Sequence, residues 1–322
     1  MRDCAAMFVS VGLVVCAVAG AGQTGKIELN RDDANHLLSI AIGGKKALEY
    51  HYAPDHFLPY FHPVLSPSGK ELTVKLTQPY PHHRSFWIAD RVQLDGHPAV
   101  NFYAAYYKPK QGAPHRIRHE KFLACKVEDG VAVLGMELIW ELESETPVLR
   151  ETRDIRIKGL GDGQWFMDLR FRVAADYGDV HFVSDNTHYA WPYVRMHPQF
   201  SVQRGGTLIN SEGGAAQKGT HNKVARWCDY VNTIGGVTEG LAIFSHSENG
   251  HPHRWLTRDY GCFGPRRPDA QSGKKFTLKK GEALTMRVGI LVHSGDTKTA
   301  RIAERYQEYL DGPLSLVAGA PK

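Results

Sequence analysis

Three histidine-rich stretches are where this sequence could do chemistry. The first is "YPHHRSFWIAD", Tyr80 to Asp90, preceded by the His62-Pro63 step in "PYFHPVLSPSG". Imidazole exchanges protons near neutral pH. A guanidinium binds a carboxylate or steadies a developing oxyanion. An indole can carry a sugar ring or fill a core. His62, His82, His83, Arg84 and Trp87 therefore form one candidate group. If 80–88 is extended, His82 and Arg84 share one side and His83 points to the other. The doublet is then no ready-made metal chelate: one ring serves a pocket and the other anchors the strand.

The second stretch is "SHSENGHPHRWLTRDYGCFGPRRP", which gathers His246, His251, His253, Arg254, Trp255, Arg258, Asp259 and Tyr260. His251 and His253 fall on one side of an extended chain, a spacing that can ligate a metal. Arg258 and Asp259 could equally be an ordinary ion pair. The third runs from "SDNTHYAWPYVRMHPQF" to "NSEGG" and supplies Asp185, His188, Arg195 and Glu212. Glycosidic hydrolysis uses two carboxylates, and lyases and epimerases pair histidine with a carboxylate. Of the 17 histidines, His62, His82, His97, His115, His197, His251 and His253 lie beside proline. A residue before proline is pushed toward extended geometry. These are loop and strand-end positions, where a β scaffold places its sites. There is no Walker A loop, no HExxH and no GxSxG.

The elements that must position these residues read as β. In "VAVLGMELIWEL", Ala132, Leu134, Met136, Leu138, Trp140 and Leu142 share one face by period-two alternation. In "WFMDLRFRVAA", Trp165, Met167, Leu169, Phe171 and Val173 point one way and Phe166, Asp168, Arg170 and Arg172 the other. The charged members of that second set read as solvated outer positions. "HLLSIAIGGKKALEYHY", "ELTVKLTQ", "RETRDIRIKGL", "GLAIFSH" and "KKFTLKKGEALTMRVGILVHSG" add strands. Asp129-Gly130 and the "GLGDG" segment at 159–163 read as hairpin turns. One helix is expected in "SGDTKTARIAERYQEYLDG", with Asp296 as N-cap, Ile302, Ala303, Tyr306, Tyr309 and Leu310 on one face, and Gly312 at its end. "INSEGGAAQKGTHNK" reads as a long loop. The fold expected is all-β: a large antiparallel sandwich with a short C-terminal helix.

Length, composition and charge fit that picture. The chain has 322 residues, 32 glycines and 17 prolines, consistent with many turns. There is no internal repeat or composition break, so residues 23–322 read as a single domain after a secretory leader at 1–22. The leader combines Arg2, the apolar "AAMFVSVGLVVCAVAG" and the small-residue "AVAGAG". This points to a secreted or periplasmic protein. Val15 fits poorly ahead of a lipidated Cys16, so export without a lipid anchor is the expectation. Cys4 and Cys16 leave with the leader, and Cys125, Cys228 and Cys262 permit at most one disulfide. Net charge is only +5, without a Lys/Arg run to track phosphates, which argues against nucleic acid. No later stretch is long enough to span a membrane. Nothing in the sequence sets an oligomeric state.

Together "PYFHPVLSPSGKELT", "PHHRSFWIAD", "ARWCDYVN", "HPHRWLTRDYGCF" and "LKKGEALTMRVGILVHSGD" resemble the PmoA-like family, DUF6807, over about Tyr60 to Leu310. The family's "methane oxygenase" label does not suit a chain with no spanning helix after its leader. The resemblance implies an exported bacterial protein that accompanies polysaccharide degradation. It also implies a galactose-mutarotase-like supersandwich, a fold that binds sugars on a concave sheet face. The positions matching the family's motifs are His62, His82, His83, Arg84, Trp87, Arg195, Trp227, His251, Trp255, Arg258 and Tyr260. The chain departs from the family at "HYAWPYVRMHP", so the pocket shape near Arg195 is expected to differ.

The reading that follows is an exported enzyme acting on a glycan by acid/base catalysis, as a hydrolase, lyase or epimerase. His82 or His83 moves the proton, and Asp259 or Glu212 orients it or shares the transfer. Arg84 and Arg258 meet a carboxylate, a sulfate or developing charge. Trp87 or Trp255 is the sugar platform, with His62, Arg195, His251 and Tyr260 as further contacts. A carbohydrate is the partner, and neither metal nor cofactor is expected. The rival readings are a non-catalytic sugar-binding module of the same fold and a metalloenzyme using His62, His82, His83, His251 or His253.

Overall fold

The computed structural model describes residues 25–104, 115–183, 189–250, 253–267 and 276–312. The expected leader, Cys4, Cys16, Asp185, His188 and His251 lie outside these residues. The strands, in chain order, begin with β1 (Ile27–Asp32), β2 (Leu37–Ile42), β3 (Lys45–His51), β4 (Tyr60–Val64), β5 (Phe86–Trp87), β6 (Arg91–Leu94) and β7 (Val100–Asn101). Long strands follow: β8 (Arg116–Glu128), β9 (Val131–Glu141), β10 (Pro147–Gly161) and β11 (Gln164–Ala174). Next come β12 (Val180–Phe182), β13 (Tyr193–Arg195), β14 (Thr207–Asn210) and the short helix α1 (Ala216–Thr220). The chain then forms β15 (Trp227–Ile234), β16 (Val237–Ser245), β17 (Trp255–Arg258), β18 (Cys262–Pro265), β19 (Phe276–Leu278), β20 (Ala283–Ser294) and α2 (Ile302–Asp311).

These strands make two eight-stranded sheets and one small one. The first runs β1-β2-β3-β4-β5-β13-β18-β17 and the second β14-β15-β16-β20-β11-β10-β9-β8, while β19-β12-β6-β7 closes one side. The named strand pairs are antiparallel. The fold is thus the expected all-β sandwich. Alternation explains it. Ala132, Leu134, Met136, Leu138 and Trp140 are all buried, as are Trp165, Met167, Leu169, Phe171 and Val173. Aromatic rings meet between the sheets: Tyr230 of β15 lies 5.2 Å from Phe263 of β18, and Phe171 of β11 lies 5.7 Å from Trp191, just ahead of β13. Asp129 (φ 50) and Gly130 (φ 74) make the tight β8–β9 turn, and Gly161 ends β10 ahead of Gln164, as the turn residues require.

The interior also holds charge. Glu151 accepts from Arg153 Nε at 2.6 Å and from Trp140 Nε1 at 2.7 Å, and both ionic partners are buried. Such a pair tolerates loss of one member badly, because the other is left charged without solvent. Asp168, expected on a wet surface, is buried instead. Arg287 holds it through Nε and Nη2 at 3.0 and 3.1 Å, and the Tyr309 hydroxyl donates to it at 3.0 Å. Helix α2 covers it, whereas Arg170 and Arg172 are exposed as expected.

Further expectations need correcting. The stretch 209–223, expected as a loop, contains the short helix α1 (Ala216–Thr220). Residues 71–78 form no strand: Glu71, Thr73 and Thr77 make only isolated bridges to Leu65, Met196 and Tyr80. Asp296 caps a turn rather than the helix, accepting from the Thr299 N–H at 2.7 Å. The helix starts later, after Arg301 in the left-handed region (φ 56). On α2, Ile302, Tyr306 and Tyr309 are buried against Phe166, Phe244 and Leu291, but Ala303 is exposed and Arg305 takes an inward position. The cysteines 125, 228 and 262 are free thiols. Among the described residues, no helix is long and apolar enough to cross a membrane.

Candidate functional site

The site grows from a curl in the chain. Pro79 and Pro81 fix φ on either side of Tyr80, which favours turns over an extended run. Two successive turns result, Tyr80 N–H to Thr77 O at 2.9 Å and His83 N–H to Tyr80 O at 3.1 Å. Leu76 N–H to His83 O and Ser85 N–H to Val74 O tie the curl down. Period-two alternation is therefore lost, and the expectation that His82 and His83 face opposite ways is overturned. Their rings meet edge to face, 4.6 Å apart, and both line one cavity of about 410 Å³.

The first sheet supplies the floor. Tyr193 lies opposite Trp87 across β13 and β5, and Arg258 opposite Cys262 across β17 and β18. Because Arg195 pairs with Cys262 as well, register puts Trp87, Tyr193, Arg195, Cys262 and Arg258 on one face of the sheet. Tyr80, Tyr103, Tyr189 and Tyr260 wall the cavity, with Arg258 at its edge. Tyr80 stacks on His83 and on Tyr260, each with centroids 4.9 Å apart, and Tyr103 stacks on Tyr189 at 4.3 Å. Trp87 lies beneath, 4.8 Å from Tyr193 and 5.6 Å from His83. Its Nε1–H is buried without a hydrogen-bond partner among the described residues. None of the described lining residues is a carboxylate.

The electrostatics separate the two histidines. His83 is 2% exposed, its Nδ1 3.5 Å from the Cys262 sulfur. Burial pushes its pKa down to about 2, with His82 and Arg195 adding to the effect. His82 is only half-buried. Burial, then the Arg84 charge, lowers it to about 4, so it is a neutral imidazole at ordinary pH. The Tyr103 and Tyr193 hydroxyls are hydrogen-bonded, and Tyr193 and Tyr260 reach the Cys262 thiol. Burial raises Tyr103 and Tyr193 well above the ordinary phenol value, so both stay protonated. It also pushes the Cys262 thiol up to about 12, which removes it as a nucleophile. Arg258 Nη1 lies 2.9 and 3.0 Å from the ring nitrogens of His221, whose pKa burial and Arg258 lower to about 4. A neutral base, protonated phenols and one anchored cation face a common space.

A second hollow of about 320 Å³ shares the Tyr80 and Tyr260 rings with the first. Arg195 and Arg204 line it. The Arg195 guanidinium lies 4.7 Å from the Tyr260 ring centroid and its Nη1–H donates to the Tyr260 carbonyl. The β17–β18 turn permits this approach because Gly261 (φ 104) has no side chain. A Cβ there would sit 3.2 Å from Met196 and 3.3 Å from Arg195 Nη1.

The structure thus gathers His82, His83, Arg195, Arg258 and Tyr260, whereas Trp87, 1% exposed, packs beneath them and is no sugar platform. Other expected residues lie elsewhere. Asp259 turns to α1, where its Oδ1 accepts from the Gln217 N–H at 2.7 Å. Glu212 is exposed, 3.4 Å from Arg226. Trp255 is core, its Nε1–H donating to Ala225 O at 2.8 Å, so it is no sugar platform. His62 and Arg84 join a separate group with His51, His56, Tyr60 and Lys75. His253 is buried, with Nδ1 2.6 Å from Arg266 O. No group of three or more His, Cys, Asp or Glu gathers to hold a metal among the described residues. Sequence reasoning missed Tyr80, Tyr103, Tyr189, Tyr193 and His221. Tyr103, Tyr189 and Tyr193 were signalled only by aromatic density in "NFYAAYY" and "HYAWPY", Tyr80 only by its place at the head of the first stretch, and His221 by nothing local.

A larger hollow, about 460 Å³, opens on the outer face of the second sheet beside Asp154, Arg156, Asp168, Arg170 and Arg287. Its Asp168 and Arg287 are already committed to each other and to Tyr309. It offers no imidazole and no aromatic face, so the smaller cavity is the better chemical site.

A family model, DUF6807, described as a family of unknown function, matches residues 37–307. The chain belongs to the DUF6807 family. No curated protein matches this DUF6807 chain in sequence. Among solved structures it is similar to a GH36 alpha-galactosidase AgaA variant from Geobacillus stearothermophilus, at 10% identity and TM-score 0.41, over 88% of this chain and 43% of that one. It is similar also to the Polysaccharide Lyase BACCELL_00875, at 13% identity and TM-score 0.40, over 90% and 35%. A third is the heparan sulfate lyase HepC from Pedobacter heparinus, at 8% identity and TM-score 0.32, over 80% and 30%. The DUF6807 chain spans less than half the length of each. At these TM-scores the likeness assigns no activity, and the functional reading rests on the chain's own residues.

Proposed function

We propose that this chain is an exported carbohydrate-active enzyme whose sugar site is the cavity bounded by Tyr80, His82, Tyr103 and Tyr260. One observation carries the reading: His82, a half-buried imidazole held neutral, opens on a cavity walled by stacked tyrosines. Aromatic faces suit the C–H faces of a pyranose, and a neutral imidazole suits proton abstraction. The protonated tyrosine hydroxyls suit donation to a leaving or ring oxygen. Arg258, fixed by His221, suits charge that develops during the reaction. The carboxylates first expected to assist, Asp259 and Glu212, have no part in this scheme. Proton transfer to His82 and from a tyrosine hydroxyl therefore fits elimination or epimerisation better than hydrolysis by a carboxylate pair. The test is incubation of the protein with a panel of oligosaccharides, read by mass spectrometry. Fragments summing to the parent mass indicate elimination. Gain of one water indicates hydrolysis. Unchanged mass with a new stereoisomer indicates epimerisation. Binding without any product would leave a sugar-binding module and sink the enzymatic reading.

A further inference from the structure

We infer that the substrate is an acidic glycan and that the hollow beyond Tyr80 and Tyr260 receives its carboxylate or sulfate. This rests on the glycan reading above and names the class of glycan. The observation behind it is Arg195. The residue is 3% exposed, yet no ion pair neutralises it among the described residues. Among the described residues its fork has one acceptor, the Tyr260 carbonyl, and its Nε–H is buried with no partner. An arginine keeps its charge at any working pH. A buried guanidinium without an anion is therefore costly unless something else completes it. The tyrosine face at 4.7 Å supplies part of that stabilisation but accepts no hydrogen bond in the plane of the fork.

The hollow is built to supply the rest. About 320 Å³ is ample for a carboxylate or sulfate with part of its sugar. Arg204 stands exposed at its rim, and Gln78 and Gln203 offer amide groups. No described lining residue is acidic. Guanidinium forks match carboxylate and sulfate geometry through paired N–H donors. Because the Tyr80 and Tyr260 rings border both hollows, a sugar in the first cavity can place a neighbouring acidic unit in the second.

The test is calorimetric titration of the full chain with three oligosaccharides of one linkage. One carries uronate carboxylates, one is its carboxyl-reduced neutral counterpart, and one is that neutral oligomer sulfated. At least one acidic oligomer is expected to bind tenfold or more tightly than the neutral one, and whichever does so names the anion. Arg195→Gln and Arg204→Gln are each expected to shrink that preference to near unity. Arg204 is exposed, so its variant decides the matter even if the Arg195 variant fails to fold. Equal binding of all three oligomers overturns the acidic-glycan inference and leaves the glycan reading standing. A preference untouched by the Arg204 variant overturns the placement of the acid group. No binding of any oligomer defeats both readings together.

Discussion

His82 and His83 touch each other, yet their surroundings assign them different work. His83 is packed among Tyr80, Trp87, Tyr193 and Cys262, so its ring is part of the floor. His83→Ala is expected to cost about 3 kcal/mol or more in stability, on the scale of removing a buried ring. Denaturant unfolding measures this, and a change under 1 kcal/mol would contradict the packing role. His82 is placed to take a proton, and it must be neutral to do so. Its pKa near 4 moves the acid limb of kcat/KM down from the ordinary imidazole range. Activity should stay level from pH 7 to 5 and fall near pH 4. A profile already falling at pH 6.5 would mean that an ordinary, solvated imidazole does the work. Residue types in this site were legible in the sequence, but their sides were not. The Pro79-Tyr80-Pro81 curl depends on bonds from Leu76 and Ser85, which no local pattern announces.

The elements were more legible. Asp129-Gly130, the 159–163 turn and the alternation in β9 and β11 follow from local rules, and the structure follows them. Residues 71–78 failed because alternation without a partner strand makes no ladder. Trp255 failed because a tryptophan reads alike as platform or core. Between the sheets, Glu151 is the counter-ion that Arg153 needs. Glu151→Ala should cost about 3–5 kcal/mol, the usual penalty for leaving a buried charge unpaired. Urea unfolding checks this, and a loss within 1 kcal/mol would mean that the pair is solvated. At the β17–β18 turn, Gly261→Ala should cost about 1–3 kcal/mol from backbone strain and crowding of Arg195. A wild-type melting temperature would contradict that.

At the scale of the molecule, buried histidines set how the fold answers acid. Burial holds His62, His82, His119 and His221 near pKa 4 in the folded chain, against about 6.5 when unfolded. Above pH 6.5 both states are neutral at these sites, and their contribution to stability is complete. As pH falls toward 4, the unfolded chain binds protons that the folded chain refuses, so stability is lost. The melting temperature should be level from pH 8 to 7 and decline steadily between pH 6.5 and 4.5. A flat curve across that range would mean these rings are solvated.

Two faces of the sandwich offer hollows: the aromatic cavity on the first sheet and the charged groove on the second. The central claim is that the first does the work. A crystal structure of the His82→Ala protein with the oligosaccharide that responds best in the panel tests this most directly. The account predicts a sugar against Tyr80 and Tyr260, beside the space vacated by the imidazole. A sugar bound instead between Arg156, Arg170 and Arg287 would contradict it.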